Sequence, residues 1–208
     1  MYLKKALWLS ISVLTLLTFS GCMKHDMAGM SGADHSKHQA MMNKKNYDRS
    51  VETYQIPDVM MTDHEGRKVS MAELMDTDKP VVVNFLYATC TTICPLLSMG
   101  YIDLQRDLKD KTDEVLLISV TIDPEHDSPE VLNNYRKRFN GKPGWVLLTG
   151  SRLDVEKITK GFNTFFADKM DHEPLNFIKL PAKNRWVRLN GMLSGADFIH
   201  ELEMAGVR

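Results

Sequence analysis

Cysteine is scarce in this 208-residue chain, which has three, at positions 22, 90 and 94. Two neighbouring thiols and one distant one cannot complete a structural zinc site, which takes four protein ligands. Excess charge is also missing. The formal net charge is −1, and no basic cluster stands in the part expected to fold, so nothing supports nucleic-acid binding. The apolar run Ala6 to Phe19 has about 14 residues, short of the roughly 20 that a membrane-spanning helix needs. A charged fraction of 25% and a hydrophobic fraction of 43% are ordinary for a globular domain.

The short apolar run has a different use. Lys4 and Lys5 precede it and Phe19-Ser20-Gly21-Cys22 closes it, an ending that resembles the lipobox of bacterial lipoproteins. The expectation is a signal peptide over 1–21 and acylation of Cys22, which anchors the chain to a membrane on its extracytoplasmic face. Residues 22–47 mix Met, His, Gly, Ser, Lys and Asp without a hydrophobic period and read as a flexible tether. Residues 48–208 then form one domain, long enough for a sizeable core.

In that domain strands alternate with helices. Val81 to Ala88 and Val115 to Ile122 are apolar at nearly every position, as buried parallel strands are, and Trp145 to Thr149 is a third strand. Leu96 to Asp110 carries Leu97, Tyr101, Leu104 and Leu108 on one helical face. Ser128-Pro129 opens a helix expected to bury Val131, Leu132, Tyr135 and Phe139. Ser151 caps a helix expected to bury Ile158, Phe162 and Phe165, and Ser194 caps a last one with Phe198, Ile199 and Leu202 inward. Asn176–Leu180 and Arg185–Leu189 read as a hairpin, and Thr53–Met61 with Arg67–Ser70 as another, turning at 64–66. The sum is an α/β thioredoxin-like fold, a central mixed β-sheet flanked by helices on both faces.

Cys90 and Cys94 lie at the junction between the first buried strand and its helix, where helix amides stabilise a thiolate. Three residues separate them, a roomier chelate than a two-residue spacer gives, able to hold a soft metal ion and still to close a disulfide. A loop this short constrains little chain entropy, so a merely stabilising disulfide is a poor explanation for the pair. Copper(I) accepts two or three soft ligands, the third a histidine or methionine from elsewhere.

Three segments in order resemble the SCO/SenC family of copper-binding cytochrome c oxidase assembly proteins. They are Cys90-Thr91-Thr92-Ile93-Cys94-Pro95, the stretch Ser119-Val120-Thr121-Ile122-Asp123-Pro124-Glu125-His126-Asp127-Ser128-Pro129, and Asp171-His172 ahead of the late hairpin. The resemblance implies that Cys90, Cys94 and His172 bind one copper ion, as Cu(I) or Cu(II), with the two cysteines also a redox-active pair. It implies a metallochaperone that delivers copper to the binuclear site of oxidase subunit II. The alternative is a membrane-tethered thiol–disulfide oxidoreductase that reduces the cysteines of that site, or an envelope sensor of copper or redox state. A second periplasmic copper chaperone or a thiol reductant is the further partner implied.

Other residues keep two readings open. Asp123 either orients the dithiol loop or caps the turn before Pro124. His64, His126 and His200 read as surface residues, and Pro174 as a neighbour of the dithiol. Met23, Met27, Met30, Met41 and Met42, with His25, His35 and His38, make the tether either a copper-gathering arm or a biased linker.

Overall fold

A computed structural model describes residues 45–165, 167–181 and 184–206. The expectations for the signal peptide, for Cys22 and for the Met/His-rich tether as far as residue 44 lie outside the described residues. Lys45–Arg208 forms a compact unit.

Eight strands make one sheet: β1 (Tyr47–Thr53), β2 (Met60–Asp63), β3 (Lys68–Ser70), β4 (Val81–Leu86), β5 (Leu116–Thr121), β6 (Trp145–Thr149), β7 (Leu175–Lys179) and β8 (Arg185–Gly191). They lie in the order β1-β8-β7-β4-β5-β6-β2-β3. The three strands read from the sequence as buried, β4, β5 and β6, pair in parallel at the centre. Every other pairing is antiparallel. Among the described residues five α-helices cover the two faces: α1 (Met71–Met75), α2 (Ile93–Leu108), α3 (Pro129–Arg138), α4 (Arg152–Gly161) and α5 (Gly195–Met204).

Alternation along the strands sorts the core in two, because successive side chains point to opposite faces. Val82 and Leu86 of β4 pack with Tyr101, Leu104, Tyr135 and Phe198 under α2, α3 and α5. Val81, Val83 and Phe85 pack with Met71, Val155, Ile158 and Phe162 on the side of α1 and α4. The helix starts are encoded locally. Ser128, Ser151 and Ser194 each accept a backbone N–H of the first turn, and Ser194 shares a capping box with Asp197.

Three expectations need correction. Val131 and Phe165 are exposed: α3 turns only Leu132 and Tyr135 fully inward, and Phe165 lies beyond the end of α4. His64 is buried, not at the surface, because its imidazole Nδ1 accepts the Leu147 N–H at 3.3 Å across the β2–β6 pairing. The strand β1 was invisible in the sequence, since only Tyr47 of its seven residues is buried and an edge strand shows little apolar alternation.

A buried carboxylate fastens β1 to α5. Glu201 is fully buried and accepts hydrogen bonds from Lys45 Nζ at 2.8 Å, Tyr47 Oη at 2.8 Å and Arg49 Nε at 2.6 Å. Burial pushes its carboxyl up, but the three donors outweigh that and hold it below its ordinary value. A carboxyl lowered by folding stabilises the fold above its unfolded value and loses that contribution as pH falls through the folded one. Both cations are partly exposed and screened by solvent, so Glu201→Gln should cost about 1–2 kcal/mol at pH 7. Urea midpoints of the variant and the parent, apart at pH 7, should converge at a pH low enough to protonate Glu201 in the folded chain, which lies below the ordinary glutamate value of 4.5. An equal gap at both pH values would show that charge is not what Glu201 contributes.

Candidate functional site

The site sits at one end of the sheet, and the topology puts it there. β4 and β5 are parallel, so the loops leaving them emerge at the same edge. β7 runs antiparallel to β4, pairing Asn176 with Asn84, so the start of β7 lies beside the end of β4. Three segments far apart in sequence therefore meet: 87–94 after β4, 122–128 after β5, and 168–174 before β7. Ligand sites in α/β sheets commonly occupy this carboxyl-end position.

Cys90 and Cys94 are free thiols, both buried. Cys94 stands in the first turn of α2, whose leading backbone N–H groups have no partner within the helix. Thr92, the residue before that turn, makes no side-chain cap. The Cys90 sulfur does the capping instead, accepting the Cys94 N–H at 3.4 Å, with Thr92 Oγ1 3.7 Å away. Pro95 has no N–H to leave unpaired. Burial pushes the Cys90 thiol up, but the hydrogen bonds from Cys94 and Thr92 outweigh it and bring it down to about 7. At Cys94, which is inaccessible to solvent, burial prevails and pushes the thiol well above its ordinary value. The two sulfurs are thus chemically unequal.

His172 follows a single 3₁₀ turn, Lys169–Asp171, that Asp168 caps by accepting the Met170 N–H at 2.8 Å. Its imidazole is buried, with Nδ1 3.9 Å from Cys94 Sγ. Nε2 is buried and has no hydrogen-bond partner. The Tyr87 ring meets the imidazole edge-on, centroids 6.4 Å apart. Burial lowers the imidazole below its ordinary value, so it is neutral at pH 7, the form that offers a lone pair. Cys94 thus touches both the Cys90 sulfur and the neutral His172 imidazole, while among the described residues no three such side chains are already grouped as a metal site.

Asp123 takes a role that the sequence reading did not separate. It makes no bond to the dithiol loop. Its carboxylate holds Lys169 at 2.6 Å and His126 at 2.8 Å, so it fixes the turn that carries His172. His126 is otherwise solvated, and His200 is exposed. The dithiol loop is held by Asp127, which sequence reasoning passed over. Fully buried, it accepts the Ala88 N–H at 3.0 Å and the Thr121 hydroxyl with the same oxygen, while its other oxygen has no partner. Its only signal in the sequence was a place in the segment 119–129, next to the more conspicuous Asp123-Pro124. Tyr87 and Met170 were missed as well: Tyr87 Oη donates to Met170 Sδ at 3.4 Å beside the histidine. A separate cleft of about 390 Å³ opens past the Asp123–Lys169 pair, lined by Arg152, Thr164 and Phe165; neither cysteine nor His172 borders it.

Comparisons with known proteins bear on the family and the fold. The SCO1 protein homolog of Bacillus subtilis is 31% identical over 109 residues, which are 50% of this chain and 54% of that protein. The chain spans about half the length of the curated relatives it matches. Two solved structures share the fold. BsSco, described as a member of the Sco family of cytochrome c oxidase assembly proteins with a disulfide switch, superposes with a TM-score of 0.61 at 24% identity, covering 74% of this chain and 94% of that one. Bradyrhizobium japonicum ScoI, solved with copper bound, gives 0.60 at 23% identity, covering 73% and 99%. The mixed sheet covered by helices on both faces is the thioredoxin-like architecture that these proteins share. A model of the family SCO1/SenC matches residues 48–179, the span that holds β4, the dithiol, the Asp127 loop and His172, and the chain belongs to the SCO1/SenC family.

Proposed function

We propose that Cys90, Cys94 and His172 hold one copper ion as cargo and that the protein passes it to the binuclear copper site of cytochrome c oxidase subunit II, or to a similar acceptor. One observation carries this reading: a buried neutral imidazole faces a buried thiol at 3.9 Å, with a second thiol drawn toward its thiolate beside it. Two thiolates favour Cu(I), and the added imidazole makes Cu(II) tolerable. The copper-bound state of Bradyrhizobium japonicum ScoI and the oxidase-assembly role of the Sco family support the cargo and the destination. Acylation at Cys22, with residues 22–44 as tether, would hold the domain at the extracytoplasmic membrane face where such an acceptor sits.

The test is an anaerobic Cu(I) titration of the reduced chain against a chromophoric chelator, with and without His172→Ala. One tight equivalent is expected, weakened at least tenfold by the substitution. Binding indifferent to His172 would remove the three-ligand site.

A second reading has its own observation. Unequal thiols, one near 7 and one well above its ordinary value, are what a dithiol needs to attack a partner's disulfide and then resolve the mixed disulfide. In this reading the pair reduces the acceptor's cysteines and is itself reoxidised to a disulfide, and a periplasmic thiol reductant must restore it. It needs no imidazole, so the His172→Ala variant separates the two.

A further inference from the structure

The proposed cargo site presents a kinetic problem. Cys90, Cys94 and His172 are all buried, at 4%, 0% and 8% exposure. An ion arriving on a chelate or a partner protein meets the surface first, and soft ions move between sites by exchanging one ligand at a time rather than by shedding all of them.

Met170 is the soft donor at that surface. It is 71% exposed, the largest value among the exposed large apolar residues of the described chain. An apolar side chain gains nothing from such exposure, yet this one is held in place from three directions. Its N–H is fixed by the Asp168 carboxylate at 2.8 Å, and the Lys169–Asp123 pair at 2.6 Å anchors the same turn. Its sulfur accepts the Tyr87 hydroxyl at 3.4 Å. Tyr87 is the residue whose ring packs on His172, and its carbonyl accepts the Cys90 N–H at 3.1 Å. One tyrosine therefore touches the exposed thioether, the buried imidazole and the backbone of the first cysteine. A thioether sulfur keeps a second lone pair while accepting one hydrogen bond.

We propose that Met170 is the capture ligand of this site: its thioether binds an arriving Cu(I) ion first and passes it inward to Cys90, Cys94 and His172. The inference rests on the copper reading above and adds to it the route of loading. The exchange is balanced without any change of oxidation state. A bond from a donor atom of the arriving chelate to Cu(I) gives way to one from Met170 Sδ. That bond breaks in turn as the Cys90 sulfur donates its pair, and any proton still on the thiol goes to solvent. Because the route is reversible, Met170 speeds unloading to an acceptor as much as loading.

The experiment is stopped-flow transfer of Cu(I) from a coloured chelate to the whole reduced chain in detergent micelles. It compares the parent with Met170→Leu and with Met99→Leu, which alters a second exposed methionine on α2. Met170→Leu should slow loading and unloading at least about tenfold while shifting the dissociation constant less than about threefold; Met99→Leu should change neither rate. A second measurement uses methionine methyl resonances in a Cys90→Ser/Cys94→Ser chain, where the Met170 methyl should shift on adding Cu(I). Unchanged rates in Met170→Leu, equal slowing in Met99→Leu, or a still Met170 methyl would overturn the proposal while leaving the three-ligand site standing. A parent that takes up no Cu(I) with its thiols reduced would instead remove the copper reading, and the capture role with it.

Discussion

Iodoacetamide at pH 7 should modify Cys90 at least about 100-fold faster than Cys94 in the folded, metal-free, reduced chain. The thiolate is the nucleophile, so the rate follows the ionised fraction and access. With its thiol at about 7, Cys90 is roughly half ionised at that pH. Cys94 is pushed above its ordinary value of 9.0, and a thiol even at that value is only about 1% ionised at pH 7. Access widens the gap, since Cys94 is fully buried and Cys90 is not. The physical source is the helix start. The Cys94 N–H reaches the Cys90 sulfur, whereas burial dominates at Cys94 and the neighbouring Cys90 charge opposes a second ionisation. Timed labelling followed by peptide mapping measures both rates, and the Cys90 rate should rise to half its plateau near pH 7. Faster labelling of Cys94 would reverse which sulfur attacks a partner's disulfide.

Phe162→Ala should remove about 3–5 kcal/mol of stability, a melting temperature lower by roughly 10 °C. Phe162 is fully buried at the centre of an aromatic cluster. Its ring lies 4.7 Å from Phe177, 5.0 Å from Trp186, and 5.6 Å from both Tyr54 and Phe85. Truncation leaves a cavity framed by rings on rigid strands, which cannot close over it. The cluster lies on the sheet face opposite the one where Cys90 and Cys94 pack. The Cys90 labelling rate of the folded variant should therefore match the parent. Thermal and urea unfolding check the first part; a loss under about 1 kcal/mol would mean the neighbours collapse into the gap.

The parallel strands β4, β5 and β6 were legible because each is apolar at almost every position, a pattern that local chemistry imposes on a strand buried on both faces. The serine caps were legible because capping is settled within four residues. The edge strand β1 was not, since its pairing with β8 joins residues about 140 apart and leaves little trace in its own composition. His64 misled for the same reason: its partner is the Leu147 N–H, remote in sequence.

By itself the sequence determined the dithiol, its spacing, the strand and helix that flank it, and the family to which the three segments point. These are properties of short stretches, and short stretches carry their own propensities and caps. His172 was already named by the resemblance, and the tertiary structure set its imidazole against Cys94; only the tertiary structure decided which of two aspartates holds the dithiol loop and which methionine bonds Tyr87 beside that imidazole. Each depends on β7 running antiparallel beside β4 and on the β4 and β5 loops leaving the same edge. Such contacts join residues tens of positions apart, and their geometry is set by burying the two core faces together rather than by anything in the residues' immediate neighbourhood.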